Sequence, residues 1–347
     1  MAYISFKPSD HFNTKLYSGN GSTNAQTGVG FQPGWIWIKN RDGGGGSHDH
    51  YVFDQVRGTT KYLRPNETNG QGTASGVTSF DSDGFTLGSS DGMNENGRTF
   101  VSWNWKANGQ GSSNTDGSIN TLYTSANTTS GVSVSTWNGT GSNGTIGHGL
   151  GKVPKMLIIK RTDGTQAWMV YHTAPGNNSE GQITTSAFSA SSTAWQDTDP
   201  TSSVFYVSGS AGDSVNASGY AYVGYAFAEV KGFSKIGKYV GNGSADGPFI
   251  YTGFKPSFVI IKNISATESW YILDDKRPGY NTNNYYLVPN NNGAEGTSTS
   301  LATSLVSNGF KIENSDTSMN TNGQNYIYMA FAEEPLVASN GTPATAR

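Results

Sequence analysis

One set of landmarks occurs three times along this chain. Each copy opens on an aromatic residue before a Gly/Asn turn, continues into a proline-led apolar strand, and closes on an alternating strand that a glycine precedes. A lysine follows the proline by six residues in every copy. Chance does not account for so many landmarks in one order, so the chain consists of three diverged copies of one unit. The opening aromatics are Tyr17, Trp137 and Tyr239, the lysines are Lys39, Lys160 and Lys262, and the closing aromatics are Trp105, Phe227 and Phe331.

The spacing of the copies predicts the domain organisation. Copy one covers residues 1–109, copy two 133–232 and copy three 233–337, with a tail at 338–347. The stretch 110–132 is rich in Gly, Ser, Asn and Thr, a composition typical of a flexible linker. Copies two and three meet near Gly232 almost without a linker, so we expect them to pack closely and copy one to be more loosely attached. Three tandem copies could also mimic a trimer within one chain, and a homotrimer of chains is the other arrangement considered.

The residue patterns within each copy are those of β-strands. In the proline-led strand of copy one, Trp35 and Trp37 share one face while Ile36 and Ile38 share the other. A strand that is apolar on both faces belongs in the middle of a layered structure. Each copy has several such strands with turn signals at short intervals, which favours a sandwich over a propeller blade. We therefore predict an all-β protein of three tandem β-sandwich domains.

Composition and charge exclude several classes of function. Of 347 residues only 14% are charged, and the formal net charge is −3, so the Lys/Arg footprint of a nucleic-acid-binding protein is missing. The absence of cysteine excludes a disulfide framework. No apolar run is long enough for a membrane span, and the first residues lack the features of a signal peptide. The recurring lysine is expected to end its strand in solvent, because charged side chains are rarely buried.

Candidate sites for metal or acid–base chemistry are few. His48 and His50 lie two apart behind a glycine run and could share a metal, but no third ligand is fixed by spacing, so an exposed polar loop is the favoured interpretation. Paired carboxylates such as Asp81 and Asp83 could serve a glycosidase, but no pair recurs at matching positions in the copies. The same Asp81–Asp83 run faintly resembles a calcium loop. We predict no catalytic residue and no cofactor.

Three recurring aromatics are candidates for sugar binding. Tyr17, Trp137 and Tyr239 each lie beside a Gly/Asn turn, where an exposed ring could stack on a glycan. The same pattern suits a core aromatic at the start of a strand. The sequence leaves both interpretations open.

Two runs of the sequence resemble a repeat found in structural proteins of marine bacteriophages. They are Phe12-Asn13-Thr14-Lys15-Leu16-Tyr17-Ser18-Gly19-Asn20-Gly21, continuing to Gly28-Val29-Gly30 and the first lysine, and Ala330-Phe331-Ala332-Glu333-Glu334-Pro335-Leu336-Val337. The resemblance covers all three copies. Copy two departs from the pattern, with Leu150 in place of a phenylalanine and Ala228-Glu229-Val230 in place of Ala332-Glu333-Glu334.

This resemblance implies jelly-roll or concanavalin-like sandwich domains in a tail-fibre, appendage or capsid-decoration protein on the virion surface. The expected partners are other virion proteins and host-surface glycans, with neither nucleic acid nor membrane insertion. A glycan-binding adhesin is the first alternative function, and a polysaccharide depolymerase is the second.

Overall fold

The regular structure of the chain is almost entirely β. The computed structural model describes residues 6–42, 48–190, 193–210, 212, 214–277 and 281–334, so the predicted tail at 338–347 lies outside the described residues. Within these residues, two single-turn α-helices and two short 3-10 helices accompany the strands. The all-β prediction is confirmed. No helix among the described residues has both the length and the apolar character needed to cross a bilayer.

The described part of copy one, residues 6–42 and 48–109, contains nine strands and the first helix. A four-stranded antiparallel sheet has the order β1-β9-β3-β4, a smaller sheet has the order β2-β8-β7, and β5 and β6 form a hairpin. The elements are the 3-10 turn Pro8–Asp10, β1 (Phe12–Ser18), β2 (Asn24–Gln26), β3 (Trp35–Asn40), β4 (His50–Asp54), β5 (Lys61–Tyr62), β6 (Gly72–Thr73), β7 (Val77–Asp81), β8 (Gly84–Leu87), α1 (Asp91–Asn94) and β9 (Thr99–Trp105).

Copy two repeats the large sheet and extends it at both edges. The order is β10-β11-β18-β13-β14-β15-β16, and β12 pairs with β17 in a second sheet. The strands are β10 (Tyr123–Asn127), β11 (Val132–Asn138), β12 (Gly144–Gly147), β13 (Met156–Arg161), β14 (Met169–His172), β15 (Ser179–Gln182), β16 (Ser189–Ala190), β17 (Val204–Val207) and β18 (Ala221–Phe227).

Copy three returns to the arrangement of copy one. Its large sheet has the order β19-β27-β21-β22, its smaller sheet the order β20-β26-β25, and β23 pairs with β24. The elements are β19 (Ser234–Val240), β20 (Phe249–Tyr251), β21 (Phe258–Asn263), β22 (Trp270–Asp274), β23 (Tyr285–Tyr286), β24 (Gly296–Thr297), the 3-10 turn Thr299–Leu301, β25 (Thr303–Val306), β26 (Gly309–Ile312), α2 (Thr317–Asn320) and β27 (Asn325–Phe331).

Each large sheet has an apolar layer on both faces, as the proline-led strands predict. In copy one, Ile36 and Ile38 face the smaller sheet and join a core that also contains Phe85 and Leu87. Copies two and three have corresponding outer cores of their own. The opposite face of β3 carries Trp35 and Trp37, which enter a different cluster. Strand β3 is therefore buried between two layers, and all six of its residues are buried.

The second layer is shared by all three copies. One continuous cluster takes the inward-facing side chains of the three large sheets, including Trp105, Phe227 and Phe331 from the ends of the closing strands. The ring centroids of Trp105 and Phe331 are 5.7 Å apart, and those of Phe227 and Phe331 are 6.3 Å apart. The three copies thus surround one central core, which we call the central cluster.

The looser attachment expected for copy one is wrong. Trp35 of copy one lies 5.1 Å from Tyr225 of copy two, and Phe12 lies 5.5 Å from Phe331 of copy three, measured between ring centroids. Both aromatics of copy one are buried. Copy one contacts both other copies because its large sheet buries an apolar face that no second sheet of its own covers.

The flexible linker predicted over 110–132 is also wrong in part. Residues 123–127 of that stretch form β10, which pairs along the edge strand β11 of copy two. Further upstream, Ile119 forms a parallel bridge to Ile146 of β12. The hydroxyl of Thr124 contacts those of Thr121 and Ser135 at 2.9 and 3.0 Å. Ser and Thr suit this role, because their hydroxyls satisfy one another where the segment lies against the sandwich.

Candidate functional site at the junction of the three copies

The recurring lysines are buried at the junction of the copies, which corrects the prediction that they end in solvent. Lys39, Lys160 and Lys262 are each fully buried. Each ammonium donates to a main-chain carbonyl of a different copy, and the direction is cyclic: copy one to three, two to one, three to two. The acceptors are Asn292 for Lys39 at 3.4 Å, Thr68 for Lys160 at 3.0 Å and Thr185 for Lys262 at 3.1 Å.

Burial changes the proton affinity of these lysines. Desolvation lowers the pKa of Lys39, Lys160 and Lys262 to about 8 in each case. A second carbonyl from the lysine's own copy also accepts from each ammonium. Carbonyl dipoles thus solvate cations that have almost no water contact, and this restrains the loop that carries the carbonyl against the next copy.

A second cyclic set of contacts starts from β4, from β22 and from the residue just before β14. The indole of Trp168 donates to the carbonyl of Arg64 and that of Trp270 to the carbonyl of Gln182, both at 2.9 Å. In copy one the partner of the lysine in the strand register is His50, which replaces the tryptophan. Its Nε2 lies 3.0 Å from the carbonyl of Val288 in copy three.

The environment of His50 argues against the metal site considered for His48 and His50. Nδ1 of His50 accepts a hydrogen bond from the indole of Trp37 at 2.9 Å, so Nε2 carries the proton that goes to Val288. Burial holds the pKa of His50 well below its ordinary value. With both ring nitrogens used, His50 has no lone pair for a metal. Across the described residues, no group of three or more metal-ligating side chains lies together.

Main-chain hydrogen bonds complete the junction, and their donors follow the opposite direction around the ring from the lysine donors. The amide of Gln71 donates to Thr162 at 2.6 Å, which joins copy one to copy two. The corresponding bonds, from Phe188 to Ile264 at 3.2 Å and from Glu295 to Arg41 at 2.9 Å, join two to three and three to one. The side chain of Glu295 also forms a bidentate ion pair with Arg41. The three junctions are therefore equivalent, and the copies form a closed ring.

Buried ion pairs connect the strands to the central cluster. In copy one, Asp54 pairs with Arg57 at 2.6 Å and accepts the hydroxyl of Tyr225 of copy two at 2.8 Å. In copy three, Asp274 pairs with Arg277 at 2.7 Å and accepts the indole N–H of Trp103 of copy one at 3.1 Å. Each carboxylate thus receives a hydrogen bond from an aromatic side chain on the closing strand of the next copy.

Copy two breaks this pattern in a chemically consistent way. His172 occupies the register position of the two aspartates, and the residue that would face it on the closing strand of copy three is Met329, which has no polar hydrogen. The ring of His172 contacts the carbonyl of Tyr328 instead, at 3.5 Å. Burial lowers the pKa of His172 to about 4, so it is neutral at physiological pH. A neutral side chain thus stands where the neighbouring copy offers no donor to a carboxylate.

Glutamates protect the first strand of the large sheet in copies one and three. The carboxylate of Glu229 accepts the main-chain N–H of Ile236 on the edge strand β19 at 2.9 Å. The carboxylate of Glu333 accepts the corresponding N–H of Thr14 on β1. In copy one the residue at this position is Ala107, and the edge strand β11 that it would protect pairs with β10 instead. An unpaired strand edge is a site of unwanted association, and all three copies cover it.

The sugar-stacking hypothesis for Tyr17, Trp137 and Tyr239 is wrong. All three side chains are buried. The hydroxyls of Tyr17 and Tyr239 donate to the carbonyls of Met93 and Met319 at 2.8 and 2.7 Å. Each ring also stacks on an aromatic of the closing strand of its own copy. The core interpretation, left open by the sequence, is the one the structure supports.

The Asp81–Asp83 run also has a structural role. The carboxylate of Asp83 accepts the amides of Gly28 at 2.9 Å and Gly30 at 2.7 Å, and these bonds lower its pKa. Asp81 accepts the hydroxyls of Ser79 and Thr86. Both carboxylates are thus bound by groups of their own copy, which gives no support to a calcium loop or to a catalytic pair.

A small cavity marks one end of the junction. It has a volume of about 200 Å³ and takes its lining from all three copies, including Asn66, Glu67, Trp168, Thr184 and Asn290. The amides of Asn66 and Asn290 accept main-chain N–H groups of the adjacent strands at 2.8 Å. Each of these bonds lies within one copy, so the two amides hold the loops that line the cavity against strands of their own copies.

Comparison with known proteins adds one result. No curated protein and no solved structure matches the chain. One family model matches residues 7–335, a range that spans all three copies. The chain therefore belongs to the family of the domain of unknown function DUF7483.

Proposed function

We propose that this chain is a non-enzymatic structural protein of a bacteriophage virion, displayed on the particle surface as a tail-fibre, appendage or capsid-decoration component that takes part in host attachment. The resemblance of its opening and closing runs to structural proteins of marine phages supports the proposal. We also propose that each copy is a concanavalin-like, jelly-roll sandwich domain, and that its partners are other virion proteins.

The observation that carries the structural role is the closed ring of polar contacts. Lys39, Lys160 and Lys262, together with the Asp54 and Asp274 pairs, are used between copies and are buried. Buried contacts are screened by salt much less than surface ion pairs. A particle released into water of high ionic strength benefits from a protein whose parts are joined in this way.

The cyclic arrangement of three similar copies is also compatible with a location on a threefold symmetry axis of the particle. Three similar surfaces related by a cyclic arrangement can meet three equivalent partner chains, while the single chain fixes the relative positions of the three copies. We propose that one face of the ring docks on a trimeric partner in the particle.

Imaging of purified particles tests this function. Immunogold labelling with antibodies against this chain, followed by cryo-electron microscopy of the same particles, is expected to locate it at one repeated position on the surface. Detection of the protein in infected-cell lysate, with none in gradient-purified particles, would contradict the proposal. Release of reducing ends from host polysaccharide by the purified protein would favour the depolymerase alternative instead.

A further inference from the structure

Copy three exposes two aromatic side chains on one edge strand. Phe249 is 49% exposed and Tyr251 is 65% exposed, whereas Ile250 between them is buried. Their alternation along β20 places both rings on the outer face of the smaller sheet, opposite Lys311 and Gly309 of β26. We call this surface the aromatic platform.

Both rings of the platform lie against glycines. A Cβ atom on Gly309 would come within 3.0 Å of the Phe249 ring, and one on Gly253 would come within 3.5 Å of the Tyr251 hydroxyl. Contact with the main chain on one side leaves much of each ring accessible from outside. An accessible aromatic face is the surface on which the C–H groups of a sugar ring can stack.

The other two copies have no counterpart. In copy one, the strand register puts the small residues Ala25 and Thr27 at these positions. In copy two the counterparts are Thr145 and Gly147, and the segment carrying Ser118 covers them, with hydrogen bonds of 2.8 and 2.9 Å to Thr145. The platform is therefore a specific feature of copy three within the described part of the chain.

An open polar hollow continues from the platform. It has a volume of about 500 Å³, and its lining includes Glu313, Asn314 and Asp316. Gly309 lies opposite Tyr251, and Glu313 follows Gly309 by four residues. At about 3.3 Å per residue, Glu313 is therefore roughly 13 Å along the sheet from Tyr251. Glu313 and Asp316 each use one carboxylate oxygen within their own copy, with the Ser304 hydroxyl and the Ser318 amide. The second oxygen of each carboxylate can accept from the hydroxyls of a sugar chain that stacks on the platform. The hollow is also lined by Ala245, Thr299, Ser300, Ser315 and Thr317.

We propose that the platform and the hollow together bind a neutral polysaccharide chain. Lys311, which lies opposite Phe249 in the strand register, is neutralised by an ion pair with Asp246. Glu313 and Asp316 leave the surface acidic, which disfavours an anionic glycan. Two separate rings with a polar rim form too small an apolar area for the core of a stable protein interface. The proposal goes beyond the structural role, because it holds wherever the chain lies on a particle.

Affinity gel electrophoresis of the full chain tests the proposal. Hydroxyethyl cellulose, laminarin and galactomannan, cast separately in native gels, serve as neutral probes, and alginate serves as the anionic one. We expect retardation by at least one neutral probe and none by alginate. The variant F249A/Y251T carries the residues of copy one, which that fold already accommodates, and should raise the dissociation constant roughly tenfold or more. Tyr123→Ala, which removes an exposed aromatic of copy two, should bind like the wild type.

Three results would overturn the proposal. They are the absence of retardation by all three neutral probes, equal retardation of the wild type and F249A/Y251T, and loss of binding in Tyr123→Ala alone. If sedimentation showed that the wild type self-associates and F249A/Y251T does not, with no retardation by the probes, the platform would be a protein contact instead. Particle labelling tests the structural role separately, so that the two can fail independently.

Discussion

Because three lysines are buried, we expect the free energy of unfolding to increase as the solution becomes mildly alkaline. Burial lowers the pKa of Lys160 from 10.5 to about 8, so the folded protein binds this proton less tightly than the unfolded chain does. Below pH 8 the charged ammonium therefore destabilises the fold, and this cost disappears as the pH rises from 8 towards 10.5. Most proteins show no such gain in this range, because their lysines are in water.

The size of the effect follows from the pKa values. From about pH 7.5 to about pH 9.5 each such lysine should add about 2 kcal/mol to the free energy of unfolding. Lys39 and Lys262 have the same shift, so the three together should add about 6 kcal/mol. Buried tyrosines such as Tyr17 have raised pKa values and oppose the gain, but only above about pH 10, where a tyrosine in the unfolded chain loses its proton.

Urea unfolding followed by tryptophan fluorescence at several pH values measures this gain. Lys160→Met should reduce the rise by about one third, whatever its effect on stability at neutral pH, because it removes one of three titrating groups. Lys231→Met is the matched control, since this lysine is exposed and should leave the rise unchanged. A wild-type stability that is flat or falls over this range, or an unchanged rise in Lys160→Met, would refute the reasoning.

Three further substitutions test the ring. Glu333→Gln should lower the free energy of unfolding by about 1–3 kcal/mol, because it weakens the hydrogen bond that protects the edge of β1 and the ion pair with Lys276. In the same urea titration the control Glu334→Gln, at an exposed position, should have little effect. Tyr225→Phe should cost about 1.5–3 kcal/mol, since the carboxylate on copy one loses a buried donor; a melting temperature equal to that of the wild type would show that this bond contributes nothing. Trp105→Ala should cost about 3–5 kcal/mol by opening a cavity in the central cluster, and calorimetry should show one transition for all three copies; three separate transitions would show that the copies are not coupled.

The strand patterns predicted the layers of the fold, but not what covers them. The alternation of Trp35 and Trp37 with Ile36 and Ile38 correctly indicated a strand with two buried faces. It could not indicate that one of those faces meets the other copies, because an apolar face has the same composition whether the covering sheet is its own or a neighbour's. The looser attachment of copy one was inferred from linker length alone, which does not report on contacts.

The junction residues were visible in the sequence, but their role was not. The fixed spacing of Lys39, Lys160 and Lys262 is visible in the sequence, and a charged residue that recurs in an otherwise apolar strand is a sign of a buried role. The prediction of exposed lysines followed instead the general rule that charged side chains are rarely buried. Their acceptors are main-chain carbonyls, which carry no mark in the sequence. The exchange of an aspartate for His172 could be explained only once Met329 was known to face it.

The central cluster has a consequence for the order of events during synthesis. Asn13 and Glu333 are in contact across the junction of copies three and one, although 320 positions separate them. As the chain leaves the ribosome, copy one can pair its strands early, but its inward face, with Trp103 and Trp105, has no cover until copies two and three have emerged. During that interval a broad tryptophan-rich surface faces the cytosol, where nascent chains on one messenger are close together. Slow or interrupted translation after copy one should therefore favour aggregation over completion of the ring.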